Sequence, residues 1–87
     1  MYLILAYDIR EERVSRVLKI ARKYLNWIQN SLLEGEITSA KFARLKSELK
    51  KVINQEEDSI IFYKLRTDRY LKRETLGKEE GKEEKFI

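Results

Sequence analysis

With 87 residues, of which 43% are hydrophobic and 39% charged, the chain has the size of one small globular domain with a heavily ionic surface. Zero Cys and zero His exclude disulfide staples, thiolate or imidazole metal sites and the commonest general base, while zero Pro and three Gly exclude a Gly-rich phosphate loop or a Pro-rich linker. The net charge of +4 is unevenly placed, because residues 1–73 carry 16 Lys and Arg against 10 Asp and Glu and residues 74–87 carry three against five, so nucleic acid is the first partner to weigh against a merely solvated surface.

Residues 2–9, YLILAYDI, read as a strand that is apolar on both faces and broken near its end by Asp8. The run from Tyr2 to Tyr7 is too short to span a bilayer and lacks the flanks of a signal peptide, so a cytoplasmic protein with no membrane contact is expected. Residues 11–25 read as a helix. Val14, Val17, Leu18, Ala21 and Leu25 form its apolar stripe, and Arg16, Lys19, Arg22 and Lys23 lie on the opposite arc. Asp8 and Glu11, three apart at its front, resemble a capping box. Residues 27–37, WIQNSLLEGEI, read as two short strands with a break at Asn30 or Gly35. A second helix is expected over 39–53, capped by Thr38, with Phe42, Leu45, Leu49 and Val52 inward and Lys41, Arg44, Lys46, Lys50 and Lys51 making its other faces basic. Residues 59–65, SIIFYKL, are β-branched and aromatic and read as a further strand. Residues 78–85, KEEGKEEK, are low-complexity and expected to be disordered.

The order strand, helix, two strands, helix, strand is the βαββαβ pattern of the ferredoxin-like α+β fold, an antiparallel sheet with two helices on one face. The other face is left bare, yet its strands supply apolar residues to it. A chain this small has a marginal core, and sheet-to-sheet homodimerisation would cover the bare face and reinforce the core together. Abundant Lys and Glu with few Asn and Gln also resemble the composition of thermophile proteins.

Without His or Cys, reactive chemistry falls to carboxylates, Tyr, Ser and Lys. Asp8 stands where a buried strand ends and a helix begins, beside Tyr7 and near Arg10 and Arg13. A carboxylate there suits a hard divalent cation such as Mg²⁺, and two copies across a two-fold axis would double the ligand count. The competing reading is that Asp8 only caps the helix. The helix cations are either phosphate contacts or a solvated face, and Tyr24, Trp27 and Phe42 either stack on bases or belong to the core.

Tyr7-Asp8-Ile9 closing the first strand, Arg16-Val17 in the first helix, and Ile28-Gln29-Asn30-Ser31 followed by Leu32-Leu33-Glu34-Gly35-Glu36-Ile37-Thr38 carry a family likeness. Over about residues 1–66 the chain resembles the small CRISPR-associated endoribonucleases, the number-two Cas proteins. Asp58-Ser59-Ile60 is similar to the D-x-[VI] entry of that family's last core strand. The chain departs from the pattern at Trp27, where a basic residue is usual, and at Leu33, where Phe is usual.

The resemblance implies a ferredoxin-like homodimer holding Mg²⁺ or Mn²⁺ between paired Asp8 residues, metal-dependent cleavage of RNA or DNA phosphodiesters, and a scaffold role bridging dimers of the Cas-one integrase during spacer acquisition. By position it assigns Asp8 as metal ligand and catalytic residue, with Tyr7, Arg16 and Ser31 supporting it. Arg13, Arg16, Lys19, Arg22 and Lys23 are the expected nucleic-acid contacts. It implies a domain over 1–66 and a segment over 67–77 whose strand crosses to the partner's sheet, and composition adds a charged, disordered tail over 78–87. Two other readings stay open: a free-standing endoribonuclease resembling the virulence-associated D toxins, and a non-catalytic ferredoxin-like interaction module.

Overall fold

The structure, a computed structural model, describes residues 1–65 and 71–78. Its elements run β1 (Tyr2–Asp8), α1 (Glu11–Ala21), β2 (Asn26–Gln29), β3 (Leu32–Glu36), α2 (Ser39–Lys50), β4 (Ser59–Leu65) and β5 (Leu71–Gly77). The five strands form one antiparallel sheet in the order β2-β3-β1-β4-β5. The expected α+β arrangement is therefore present, extended by one strand.

Side-chain alternation sorts the sheet into two faces. Leu3 and Leu5 of β1, Leu33 of β3, and Ile60 and Phe62 of β4 are fully buried against Val17 and Ala21 of α1 and Phe42, Leu45 and Leu49 of α2. Phe42 and Phe62 meet edge to face at 5.1 Å between ring centroids, a favourable quadrupole arrangement. The alternate residues of the three central strands, Tyr2, Ile4, Ala6, Leu32, Ile61 and Tyr63, are only half-buried, and Leu65 is exposed. Registers Ala6↔Leu32, Ala6↔Ile61, Ile4↔Tyr63 and Tyr2↔Leu65 place them side by side. One sheet face is thus covered by helices and the other carries a bare apolar patch.

Both helices stop before their apolar stripes do. α1 ends at Ala21 rather than Leu25, and α2 at Lys50 rather than Ile53, although Leu25 and Ile53 are buried. The chain leaves each helix through tight turns, with Leu25 N–H donating to the Ala21 carbonyl and Ile53 N–H to the Leu49 carbonyl, so spacing alone could not separate last turn from exit. Thr38 caps α2 as expected, accepting from Lys41 N–H at 3.1 Å. Between β2 and β3 the break falls at Asn30, which takes a left-handed φ of 39°, a conformation Asn tolerates better than most side chains. Gly35, the other candidate, lies within β3 opposite Leu3.

β5 pairs with the chain's own β4 along its whole length, from Leu65↔Leu71 to Ser59↔Gly77. The strand expected to cross to a partner here occupies the free edge of β4 in the same chain. The expected disordered tail lies, apart from Lys78, outside the described residues, as do residues 66–70.

Candidate functional site

β1 runs through the middle of the sheet and delivers Asp8 to its end. Residues 3 and 5 of the strand are buried, while Asp8 is exposed and falls by alternation on the face of Tyr2, Ile4 and Ala6. Asp8 pairs in register with Ser59, so it stands at the rim of the bare apolar face. It does not cap α1. The N-cap residue is Arg10, with no side-chain cap bond from its own segment, which corrects the capping-box reading of Asp8 and Glu11.

The acceptor at the front of α1 comes from the loop before β4. Asp58 is fully buried and takes hydrogen bonds from Arg10 N–H at 2.9 Å, Asn54 N–H at 2.8 Å, and the Arg13 guanidinium through Nε at 2.5 Å and Nη2 at 3.1 Å. Burial opposes its ionisation, but Arg13 and the two backbone donors outweigh burial and hold the carboxyl down at about 2. Arg13 is also bound by Glu57 at 2.9 Å, and these carboxylates push its pKa up. The Asp58 carbonyl in turn accepts from Lys78 N–H at 2.7 Å. Three segments of chain meet at this one residue: the β1–α1 turn, the α2–β4 loop and the end of β5. Little in the residue spacing marks Asp58 as the hub, because Asn54 is four positions away but the other two donor residues, Arg13 and Arg10, are 45 and 48 away. The one available signal was an acid directly before an apolar strand.

Tyr7 and Ser31 adjoin Asp8. Tyr7 N–H donates to the Ser31 carbonyl at 3.0 Å, and the Tyr7 hydroxyl donates to the Asn30 carbonyl at 3.1 Å. Burial pushes the Tyr7 phenol up, so it remains a proton donor that ties the β2–β3 turn to the end of β1. Arg16 lies on the exposed arc of α1 and makes no hydrogen bond or ion pair with Tyr7, Asp8 or Ser31. Tyr7, Asp8 and Ser31 are brought together, and Arg16 is not.

The five expected nucleic-acid cations separate into two kinds. Arg13 is consumed by Asp58 and Glu57, and Lys23 pairs with Glu48 at 2.6 Å. Arg16, Lys19 and Arg22 are exposed and, among the described residues, have no carboxylate partner. On α2, Lys46 is held by Glu74 at 2.9 Å, leaving Lys41, Arg44 and Lys50 exposed, as is Lys51 just after the helix. The three aromatics separate too. Phe42 is core, Tyr24 is half-buried with its hydroxyl on Glu48, and Trp27 is 47% exposed at the sheet edge, against the core reading.

Among the described residues no three acidic side chains converge on a common point. At the end of β1 the exposed Asp8 carboxylate of one chain is by itself too few oxygen ligands for a dedicated hard-cation site. No described helix is long and apolar enough to cross a membrane.

Comparison with known proteins agrees with this geometry. The family model described as CRISPR associated protein Cas2 matches residues 1–73. A CRISPR-associated endoribonuclease Cas2 of Dictyoglomus turgidum is 55% identical over 87 residues, covering 100% of both chains. That of Thermotoga maritima is 49% identical over 87 residues, covering 100% of this chain and 99% of the relative. A crystal structure of cas2 superposes with a TM-score of 0.70 at 44% identity over 72% of this chain and 71% of that one. Streptococcus pyogenes Cas2 at pH 6.5 gives 0.70 at 32% identity over 78% and 89%. A five-stranded sheet with two helices on one face, an aspartate exposed at the end of its central strand, and sequence identity along the whole length lead to one conclusion: the chain belongs to the CRISPR-associated Cas2 family.

Proposed function

We propose that the protein acts in CRISPR adaptation as a basic homodimer that binds nucleic acid and cleaves phosphodiesters at a site formed by two copies of Asp8. The observation that carries this reading is the position of Asp8, solvent-exposed at the rim of a bare apolar sheet face. Packing that face against a second copy would bury Ile4, Leu32, Ile61 and Tyr63, and a two-fold axis near the strand ends would bring the two carboxylates together.

The names of the relatives, which are endoribonucleases, support the nuclease reading. Mg²⁺ or Mn²⁺ would be held by the paired Asp8 carboxylates, and when bound it supplies charge neutralisation at the phosphate and an activated water. The chain's own groups do the rest. Tyr7 and Ser31 fix the strand end that carries Asp8, and Arg16, Lys19 and Arg22, without carboxylate partners among the described residues, present cations to a phosphate backbone. The same cationic surface suits a scaffold for the Cas-one integrase on incoming duplex, with cleavage as a second capacity. That a Cas2-family chain retains a bare apolar face as well as a cationic helix arc favours the dimeric adaptation role over a monomeric interaction module.

The test is light scattering combined with an RNA and DNA cleavage assay in Mg²⁺ and Mn²⁺. A mass of twice 10.5 kDa is expected, with cleavage by the parent protein and none by Asp8→Asn. A monomer at micromolar concentration, or equal cleavage by the variant, overturns the paired-Asp8 site.

A further inference from the structure

We infer that Trp27, held beside Arg22 on the flank of α1, is a stacking platform for one unpaired base of a single-stranded nucleic acid. This inference rests on the proposal that the protein binds nucleic acid, and it adds a preference for an unstacked nucleotide at a defined place on the surface.

Trp27 lies on β2, the edge strand, opposite Leu33 in register. That register places it on the same face as the buried Leu33, the helix-covered side of the sheet, yet 47% of its surface stays exposed. The indole is not a loose side chain. Its Nε1 donates to the Asn30 carbonyl at 2.9 Å, the same oxygen that accepts from the Tyr7 hydroxyl. The Arg22 guanidinium carbon stands 5.6 Å from the ring centroid, a cation–π contact. Ring orientation is thereby fixed before any ligand arrives, so little side-chain entropy remains to be lost on stacking.

The surroundings select the occupant. Arg22 also lines an open depression on α1 with Ser15, Leu18 and Lys19. Arg22, Lys19 and the neighbouring Arg16 lack carboxylate partners among the described residues. An exposed aromatic plane next to unpaired cations matches a nucleotide, whose base offers a π-face and whose phosphate offers a charge. A duplex keeps its bases stacked on one another, so only an unpaired nucleotide can use the plane.

Trp27 is the only tryptophan in the chain, so its fluorescence reports on this position alone. The full-length protein is titrated with a short oligouridylate, a blunt duplex, and an abasic phosphodiester strand of the same length, while a label on each strand reports binding by anisotropy. Saturable quenching with the oligouridylate, and none with the duplex or the abasic strand although both bind, is the expected result. Trp27→Ala should weaken oligouridylate binding by roughly 5- to 100-fold, and Trp27→Phe, which keeps a stacking face, should restore most of it. Binding of oligouridylate without quenching, or equal affinity for the abasic strand, overturns the platform and leaves the parent reading standing. Anisotropy showing no binding of any strand overturns both.

Discussion

Asp8 and Asp58 stand at the same end of the sheet, since Asp8 pairs with Ser59, the residue after Asp58. They share a side chain and almost nothing else. Asp58 is completely buried, accepts from two backbone N–H groups and a guanidinium, and joins three segments of chain. Asp8 is exposed, and no hydrogen bond or ion pair engages its carboxylate among the described residues. The difference teaches where structure ends and chemistry begins. A carboxylate whose lone pairs are already used by the fold cannot also bind a substrate or cation, whereas one held in place by its neighbours and left unsatisfied can.

The largest expected effect follows from breaking the buried member of the pair. Asp58→Ala leaves Arg13 without its main partner and strands the N–H groups of Arg10 and Asn54, so a loss of about 3–5 kcal/mol is expected. For a domain of this size that is a large share of total stability. Urea unfolding at fixed protein concentration checks it, and a loss below about 1 kcal/mol would show that the hub is not structural.

Gly77→Ala tests the same hub from β5. Gly77 has a φ of 83°, and a Cβ there would lie 2.2 Å from the Asp58 carbonyl oxygen. Backbone strain and the clash with main chain together should cost roughly 2–3 kcal/mol, read as a lower melting temperature.

Acid should weaken the hub without any mutation. The Asp58 carboxyl is lowered from 3.8 to about 2 in the folded chain, so its contribution is complete above the unfolded value and is lost as pH falls through the folded one. That contribution is on the order of 2 kcal/mol. Unfolding free energies measured from pH 5 to pH 2 should decline in the parent, and Asp58→Ala should lack that part of the decline.

The smallest effect on stability belongs to Asp8→Asn. With no cap or ion pair to break, the change should stay within about 0.5 kcal/mol, measured by the same urea titrations. Retained stability alongside lost cleavage would separate the two aspartates cleanly, and a loss comparable to that of Asp58→Ala would erase the distinction.

Much of the fold was legible because local periodicity reports on it directly. The run YLILAYD showed a strand through its short, continuous apolar character, and Phe42, Leu45 and Leu49 recur at helical spacing, as their burial requires. The end of β1 at Asp8 and the Thr38 cap were equally visible. The helix ends were not, because Leu25 and Ile53 continue the apolar stripe after the backbone has left the helix. Trp27 misled for a related reason. Hydrophobicity says that an indole prefers burial, but only the placement of β2 at the edge of the sheet, which the tertiary structure sets, leaves this one 47% exposed.

The sequence by itself determined the order of elements, the two-faced character of the strands, the basic balance of residues 1–73 and the candidacy of Asp8, all of which depend on residues near one another along the chain. Only the tertiary structure decided which cations are free. Arg13 and Arg16 sit three apart on the same helix, and Arg13 is neutralised by carboxylates 44 and 45 residues away while Arg16 faces solvent. Likewise Lys19 and Lys23 differ only because Glu48 of α2 packs beside Lys23. Charge pairing across elements depends on distances of a few ångströms that the fold sets, and at such distances a single approaching carboxylate decides whether a cation belongs to the scaffold or to the binding surface.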